Sequence, residues 1–165
     1  LDALYDGAAA LAALFMVLLL AAVLASVLGR QFGFHARGTD AYAGYMMAAA
    51  GFLALAHTFK RGEHIRVTLL MQSLAPRARR VLEIWALAAA SALASLVAFY
   101  SVRLAWQSHL FNDISTGNDA TPLWLPQLSM AIGTTVLAIA LVDELVLEWR
   151  GRRVRANSAE AAHHE

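Results

Sequence analysis

Six histidines and twelve carboxylates are the side chains with which this chain could hold a metal ion or transfer protons. Their spacing does not favour a metal site, because neither HExxH nor HxxE occurs in the sequence. The chain has no cysteine, which excludes disulfides, thiolate ligands and thiol catalysis. No Ser/His/Asp set, phosphate-binding loop or carboxylate pair lies within an apolar segment. We therefore expect no metal, no cofactor and no enzymatic activity.

The densest group of charges is the stretch KRGEHIRVTLLMQ at 60–72. It contains Arg61, Glu63, His64 and Arg66, and Gly62 permits a turn between them. Apolar residues then follow at i, i+3, i+4 and i+7, which are Val67, Leu70, Met71 and Leu74. This period predicts a short amphipathic helix at about 64–75 that lies in the membrane interface. The alternative is an ordinary solvated connector.

Four windows without Asp, Glu, Lys or Arg separate the charged groups, at 7–29, 41–59, 84–102 and 120–142. Each is long enough to cross a hydrocarbon core of ~30 Å as a helix, which needs about 20 apolar residues. The composition agrees, with 59% hydrophobic and only 15% charged residues. We predict an all-α integral membrane protein with four transmembrane helices in one domain, 1–150, with spans at about 7–29, 41–59, 82–105 and 121–147 and a flexible tail at 151–165.

The basic residues sort to one side of these spans. The segment between the second and third windows and the C-terminal tail together hold ten of the thirteen Lys and Arg residues. Positive charge favours the cytoplasmic side, so both termini and the 60–83 segment are expected there. The net charge of +1 gives no indication of a nucleic-acid partner.

Four tryptophans mark the predicted membrane boundaries. Trp85 and Trp106 bracket the third window, ~32 Å apart along a helix, and Trp124 and Trp149 bracket the fourth, ~38 Å apart. Tryptophan favours the headgroup level, so these pairs are predicted to anchor the chain at both interfaces. The alternative is that they are ordinary packing residues.

The predicted spans carry little that could bind a charged solute. Within the four charge-free windows the only side chain that can carry a positive charge is His57, close to the end of the second window, and no window has a Gly/Pro break in its middle. Stripes of small residues, which allow close helix packing, are Ala41, Gly44, Ala48 and Gly51 on the second span and Ala88, Ala92 and Ser95 on the third. The chain is not expected to transport a charged solute by itself.

Three charged residues lie near the other ends of the helices, on the side opposite the termini: Arg30, Asp40 and Arg103. Asp40 directly precedes the second window, where a carboxylate can cap a helix N-terminus. It can alternatively form a salt contact with Arg30 or with a docked protein.

The order of these parts resembles the small membrane subunit, DctQ type, of tripartite ATP-independent periplasmic (TRAP) transporters. The resemblance covers roughly residues 5–150 and rests on RQF after the first span, GTDAYAGY at the second, RGEHIRV between the second and third, and TPLWLPQ at the fourth. The GEHIRV stretch at 62–67 is its most specific part, and the spacing of Pro122, Trp124 and Pro126 supports it.

The resemblance implies which partners the chain has and in which membrane it lies. It implies a large DctM-type membrane subunit that holds the substrate and sodium sites, and a periplasmic solute-binding protein that docks transiently and delivers an organic acid or carboxylate. This chain would then be a non-catalytic scaffold in the bacterial inner membrane, in contact with lipids. Arg61 and Arg66 would anchor the turn at headgroups or at the partner, and Glu63 and His64 would fix the turn or contact the large subunit.

Two other classes of function fit the pattern of spans. One is a self-contained small exporter that works as a homodimer, which would need a carboxylate inside the membrane. The other is a membrane anchor subunit of a different complex.

Overall fold

A computed structural model describes residues 2–33, 38–60, 76–117 and 119–150 of the chain. Four helices run through these ranges: α1 Asp2–Phe32, α2 Thr39–Lys60, α3 Pro76–Leu110 and α4 Trp124–Trp149. The predicted all-α class is confirmed, since the described residues add only one isolated antiparallel bridge, between Ile114 and Pro122. The amphipathic helix predicted at 64–75 and the tail at 151–165 lie outside the described residues.

Three of the helices are long and apolar enough to cross a membrane, over Ala3–Phe32, Arg77–Leu110 and Trp124–Trp149. The second predicted span is not confirmed in this way. Helix α2 has 22 residues, enough for ~33 Å, but tyrosines at 42 and 45 and the pair His57 and Thr58 dilute its apolar run. The length of α2 therefore permits it to cross a membrane, but its most apolar stretch is less apolar than those of the other three helices.

The helices pack side by side in the order α1, α2, α4, α3, so that α4 lies between α2 and α3. Two small clusters of buried residues fill the contacts: Tyr5, Ala56, Val136 and Ala140, and Ala94, Ala98, Ala138 and Leu141. Phe59 of α2 packs against both clusters. Most of these residues are alanines, which let helix backbones approach closely where water does not drive apolar groups together.

Helices α2 and α4 approach each other closely at Gly133. A Cβ atom added there would overlap the backbone carbonyl of Phe52 and lie 2.9 Å from the Phe52 Cβ. Gly133 is therefore the residue that lets α4 reach the backbone of α2.

The prolines lie at helix starts. Pro76 is the first residue of α3, which therefore begins several residues before the predicted span. Pro126 is in the first turn of α4, while Pro122 precedes that helix and pairs with Ile114. Proline lacks an N–H and is tolerated where the helix offers that group no partner.

Large apolar side chains point outward along the whole row. Leu14, Val17 and Leu20 of α1 and Leu93 and Phe99 of α3 are each more than half exposed. The small-residue stripe of α2 is open as well, since an added Cβ at Gly44 or Gly51 would meet nothing within 4 Å. Such a surface requires lipid or another protein as its environment.

Candidate functional site

Among the described residues, a group of polar side chains joins the start of α2 to the 111–123 segment between α3 and α4. We call it the loop-end network, and its members are Tyr42, Tyr45, Ser115, Asp119 and Thr121. The two tyrosines lie one turn apart on α2 and meet edge to face, with ring centroids 6.1 Å apart. Both therefore point toward the segment that enters α4.

Asp119 is the centre of the loop-end network. The Tyr45 hydroxyl lies 3.0 Å from both Asp119 Oδ2 and Ser115 Oγ, and Ser115 Oγ donates to Asp119 Oδ1 at 2.9 Å. The hydroxyls of Thr121 and Tyr42 lie 3.1 Å apart. The contacts between α2 and the 111–123 segment join residues 70 to 79 positions apart, so they fix this segment onto α2.

The backbone of the 111–123 segment folds back on itself. Ser115 N donates to Thr121 O at 2.8 Å, and Leu123 N donates to Asp113 O at 2.9 Å, on either side of the bridge between Ile114 and Pro122. This pairing holds Ser115 and Thr121 opposite each other and turns both toward the tyrosines.

Gly38 lets the turn before α2 reach this segment. Its φ is +84°, a conformation that favours glycine, and a Cβ there would lie 3.1 Å from the Asp119 Cβ. A side chain at position 38 would therefore strain the backbone and press on the loop-end network.

The network keeps its carboxylate charged. The Thr121 hydroxyl, followed by those of Ser115 and Tyr45, lowers the pKa of Asp119 from 3.8 to about 2, against the opposing effect of desolvation. Each hydroxyl can donate to the ionised carboxylate, which favours the charged form. At neutral pH this end of the row therefore presents a fixed negative charge.

Two of the three charged candidates on this side come together. Ser26 of α1 donates to Asp40 Oδ1 at 2.9 Å, and Arg30 Nη2 donates to Ser26 Oγ at 3.4 Å. Asp40 and Arg30 are thus linked through Ser26, and the link joins α1 to α2. Arg103 is exposed on α3, at the other edge of the row.

The predicted interface anchors mostly face outward. Trp85, Trp106 and Trp149 are 70%, 67% and 74% exposed. Trp124 is half-buried and meets the His109 ring edge to face, with centroids 5.2 Å apart. Their level in a bilayer stays a prediction, while the outward side chains of three of them are available to lipid.

A second set of polar contacts lies at the opposite end of the row. Lys60 Nζ of α2 is 2.9 Å from Asp143 Oδ2 of α4, and it also lies 5.3 Å from the centre of the Tyr5 ring. His57 Nδ1 is 3.6 Å from Asp6 Oδ1 of α1, an ion pair when the histidine is protonated. We call these residues the termini-end contacts, because α1 begins and α4 ends there. The predicted turn residues Arg61, Glu63, His64 and Arg66 lie outside the described residues.

Sequence reasoning did not single out either set of contacts. Tyr42 and Tyr45 were visible as polar residues at helical spacing in an apolar window, and Asp119 as a charge in a connecting segment. Their pairing depends on the path of the 111–123 backbone, which no local pattern encodes.

The loop-end network holds the 111–123 segment on α2 and leaves polar groups at this end that could bind a partner. Within the described ranges no three His, Asp or Glu side chains converge as metal ligands would. The loop end offers instead hydroxyls, a carboxylate and two exposed residues, Thr116 and Gly117. These groups suit contact with another protein.

Comparison with individually curated proteins gave no match. Residues 19–151 match the family described as Tripartite ATP-independent periplasmic transporters, DctQ component. That range includes α2, α3 and α4, the C-terminal part of α1 and the whole loop-end network. The chain therefore belongs to the DctQ family and is a small membrane component of a TRAP transporter.

Proposed function

We propose that the chain is the non-catalytic scaffold subunit of a sodium-driven transporter that imports an organic acid. The family match carries this proposal. The fold supports it, because a single row of helices with outward apolar side chains encloses no solute path among the described residues. The solute and sodium sites then belong to a large DctM-type membrane subunit.

The scaffold role follows from the exposed faces of the row. Gly44 and Gly51 leave a shallow open strip along α2, and Ala88 and Ala92 are exposed on α3. In lipid, helices associate through such surfaces, because small residues allow close contact. The large subunit would pack there and be held static on one side.

Docking of a periplasmic solute-binding protein is assigned to the loop end. The Asp119 carboxylate and the Asp40 side chain place negative charge on this end, close to Arg30. Charged groups of both signs at a rim favour oriented, transient association more than high affinity. This matches a partner that must arrive and leave in each cycle.

Helix α2 is proposed to be the fourth span. It packs against α1 on one side and α4 on the other, and both of those are apolar enough to cross the membrane. Its polar tyrosines lie near its first turn and His57 near its last, where the interface can solvate them. The neighbours therefore offset its lower apolarity.

The proposed orientation places the loop-end network in the periplasm and the termini-end contacts at the cytoplasmic face of a bacterial inner membrane. The support is the excess of basic residues around 60–83 and after α4. In this orientation Arg61 and Arg66 would meet anionic headgroups or the large subunit, and Glu63 and His64 would hold the turn.

The test is purification in mild detergent from the native membrane, followed by mass spectrometry of what stays bound. Stoichiometric recovery of one large polytopic protein is expected. The two membrane subunits and the binding protein would then be reconstituted in vesicles with an inward sodium gradient. Solute uptake that needs all three supports the proposal, while recovery of this chain as a lone monomer or homodimer contradicts it.

A further inference from the structure

Three arginines lie close together where α3 begins and α4 ends. Arg80 Nη2 of α3 is 3.5 Å from Trp149 O, the carbonyl oxygen of the last residue of α4. Arg77 precedes Arg80 by three residues, about one helical turn, and Arg150 directly follows Trp149. All three arginines are exposed. We call Arg77, Arg80 and Arg150 the arginine cluster.

The described residues do not neutralise the arginine cluster. The ion pairs at this end of the row join other residues: Arg79 with Glu83, Lys60 with Asp143 and His57 with Asp6. Glu148, two residues before Arg150, is only 8% exposed, so it adds little charge to the surface of the cluster. The start of α3 gives no compensation, because the N-terminus of a helix carries a partial positive charge. The cluster therefore presents three positive charges that an anion can offset.

The packing of α3 on α4 sets the depth of the arginine cluster in a bilayer. Ala94 of α3 and Leu141 of α4 belong to one buried cluster, and the two helices run in opposite directions. Trp85 and Trp149 each lie ~12 to 14 Å from that contact along their helices, so they are at about the same depth. Both are at least 70% exposed, as tryptophans at the headgroup level are. Arg80 lies ~7.5 Å farther out than Trp85, which places the cluster among the headgroups.

A phospholipid phosphate is the anion that fits this position. A guanidinium binds two oxygens of a phosphate through parallel N–H groups, and basic side chains next to a membrane attract anionic headgroups. On the membrane side of the arginines, Trp149 is 74% exposed and Val146, one turn earlier on α4, is 40% exposed. These apolar side chains can contact acyl chains, which a soluble anion lacks.

We propose that the arginine cluster binds the headgroup of an anionic phospholipid such as phosphatidylglycerol. The phosphate lies between Arg77, Arg80 and Arg150, and the acyl chains extend past Trp149 along α4. The site requires that α3 and α4 cross the bilayer, for which both are long and apolar enough. It does not depend on the transport function.

Native mass spectrometry of the full chain, with whatever subunit co-purifies, tests the site. The protein in detergent is titrated with phosphatidylglycerol, or with phosphatidylcholine that has the same acyl chains and no net charge. We expect one molecule of phosphatidylglycerol to bind with an affinity several-fold higher than that of phosphatidylcholine. Equal affinity for the two lipids would overturn the proposal.

Two single changes with the same loss of charge locate the site. Arg80→Gln should lower the preference for phosphatidylglycerol several-fold, and adding Arg77→Gln and Arg150→Gln should abolish it. Arg103→Gln is the matched control, because Arg103 is also exposed on α3 but lies toward the other end of that helix. It should leave the preference unchanged. A preference that survives the triple change, or that falls equally in Arg103→Gln, would contradict a site at the arginine cluster.

A soluble phosphate and a partner protein would give different results. Glycerol 3-phosphate carries the phosphate without acyl chains, and it should bind far more weakly than phosphatidylglycerol. If it binds equally well, the cluster holds a soluble anion and the lipid assignment is wrong. The assignment is also wrong if phosphatidylglycerol binds the isolated chain but is excluded when the large subunit is bound, because the partner then covers the arginines.

Discussion

Tyr45, near the start of α2, connects this helix to Asp119, the carboxylate whose pKa the loop-end network lowers. Tyr45→Phe removes the hydroxyl that lies 3.0 Å from Ser115 and from Asp119, so the 111–123 segment should open more often. We expect faster hydrogen exchange at Ser115 and Leu123, whose amides pair across the segment.

Tyr100→Phe is the matched control for this change. Tyr100 lies on α3, is 55% exposed, and contacts the Phe99 ring. Its loss of a hydroxyl should leave exchange in the 111–123 segment unchanged. Equal exchange in Tyr45→Phe and in the unchanged chain would show that the loop is held by its backbone pairing alone.

Asp119 should make the stability of the loop end depend on acid. Its folded pKa is lowered from 3.8 to about 2, so the folded chain binds fewer protons than the unfolded chain between these values. The stabilisation is therefore complete above pH 3.8 and is lost as the pH falls toward 2. The melting temperature of the chain in detergent should fall over this window by more than that of Asp119→Asn.

Asp113→Asn provides the comparison for the acid dependence, because Asp113 is exposed in the same segment. This variant should lose stability in acid as the unchanged chain does. A pH profile of Asp119→Asn that is parallel to that of the unchanged chain would contradict the role assigned to Asp119.

At the scale of the helix, Gly133 decides how closely α2 and α4 pack. Gly133→Ala places a Cβ against the Phe52 carbonyl, and backbone cannot move aside as a flexible side chain does. Overpacking of this kind costs about 1 to 3 kcal/mol in the free energy of unfolding. Gly51→Ala is the control, since its Cβ would meet nothing within 4 Å, and it should leave thermal unfolding nearly unchanged or slightly improve it.

A charge exchange tests the contact between the same helices at the termini end. Lys60 and Asp143 are 2.9 Å apart, with side chains 24% and 26% exposed. Changing only Lys60→Asp or only Asp143→Lys places two like charges next to each other. Each single change should lower the free energy of unfolding by about 1 to 3 kcal/mol. The double change should recover most of that loss. Singles and double that are equally stable would show that solvent screens the pair.

The helices themselves were largely predictable, and their contacts were not. Charge-free windows located all four helices, because a bilayer demands an uninterrupted apolar length. The sequence did not show that Pro76 begins α3, since the basic residues 77–80 marked the interface rather than the helix start. Nor could it show that α4 lies between α2 and α3, because alanine and glycine stripes fit several neighbours equally well.

For the whole molecule, the orientation is the prediction with the most direct measurement. The chain has no cysteine, so single cysteines can be placed without changing a background. Thr116 lies in the 111–123 segment and Ala78 near the start of α3, and both residues are exposed, so Thr116→Cys and Ala78→Cys can report the two sides. In intact cells an impermeant maleimide should modify Thr116→Cys at once and Ala78→Cys only after the membrane is opened. The reverse pattern would place the termini outside.

The family and the four charge-free windows were accessible from the sequence, whereas the site was not. GEHIRV and the Pro122 to Pro126 spacing carried the resemblance, and residues 19–151 match the DctQ family. The loop-end network could not be predicted, because Tyr42 and Tyr45 contact Thr121 and Asp119 only where the chain folds back onto α2. Local patterns report length and burial, and they do not report which distant segment returns to a helix.

The order of the row has a consequence for how the chain is made. Helix α3 is synthesised before α4, yet it packs mainly against α4 and not against the earlier pair. While the ribosome is still translating residues 124–149, α1 and α2 can already pack against each other, whereas α3 lacks its main neighbour. Helix α4 packs against both α2 and α3, so the packing of the described helices is completed only when α4 has been made.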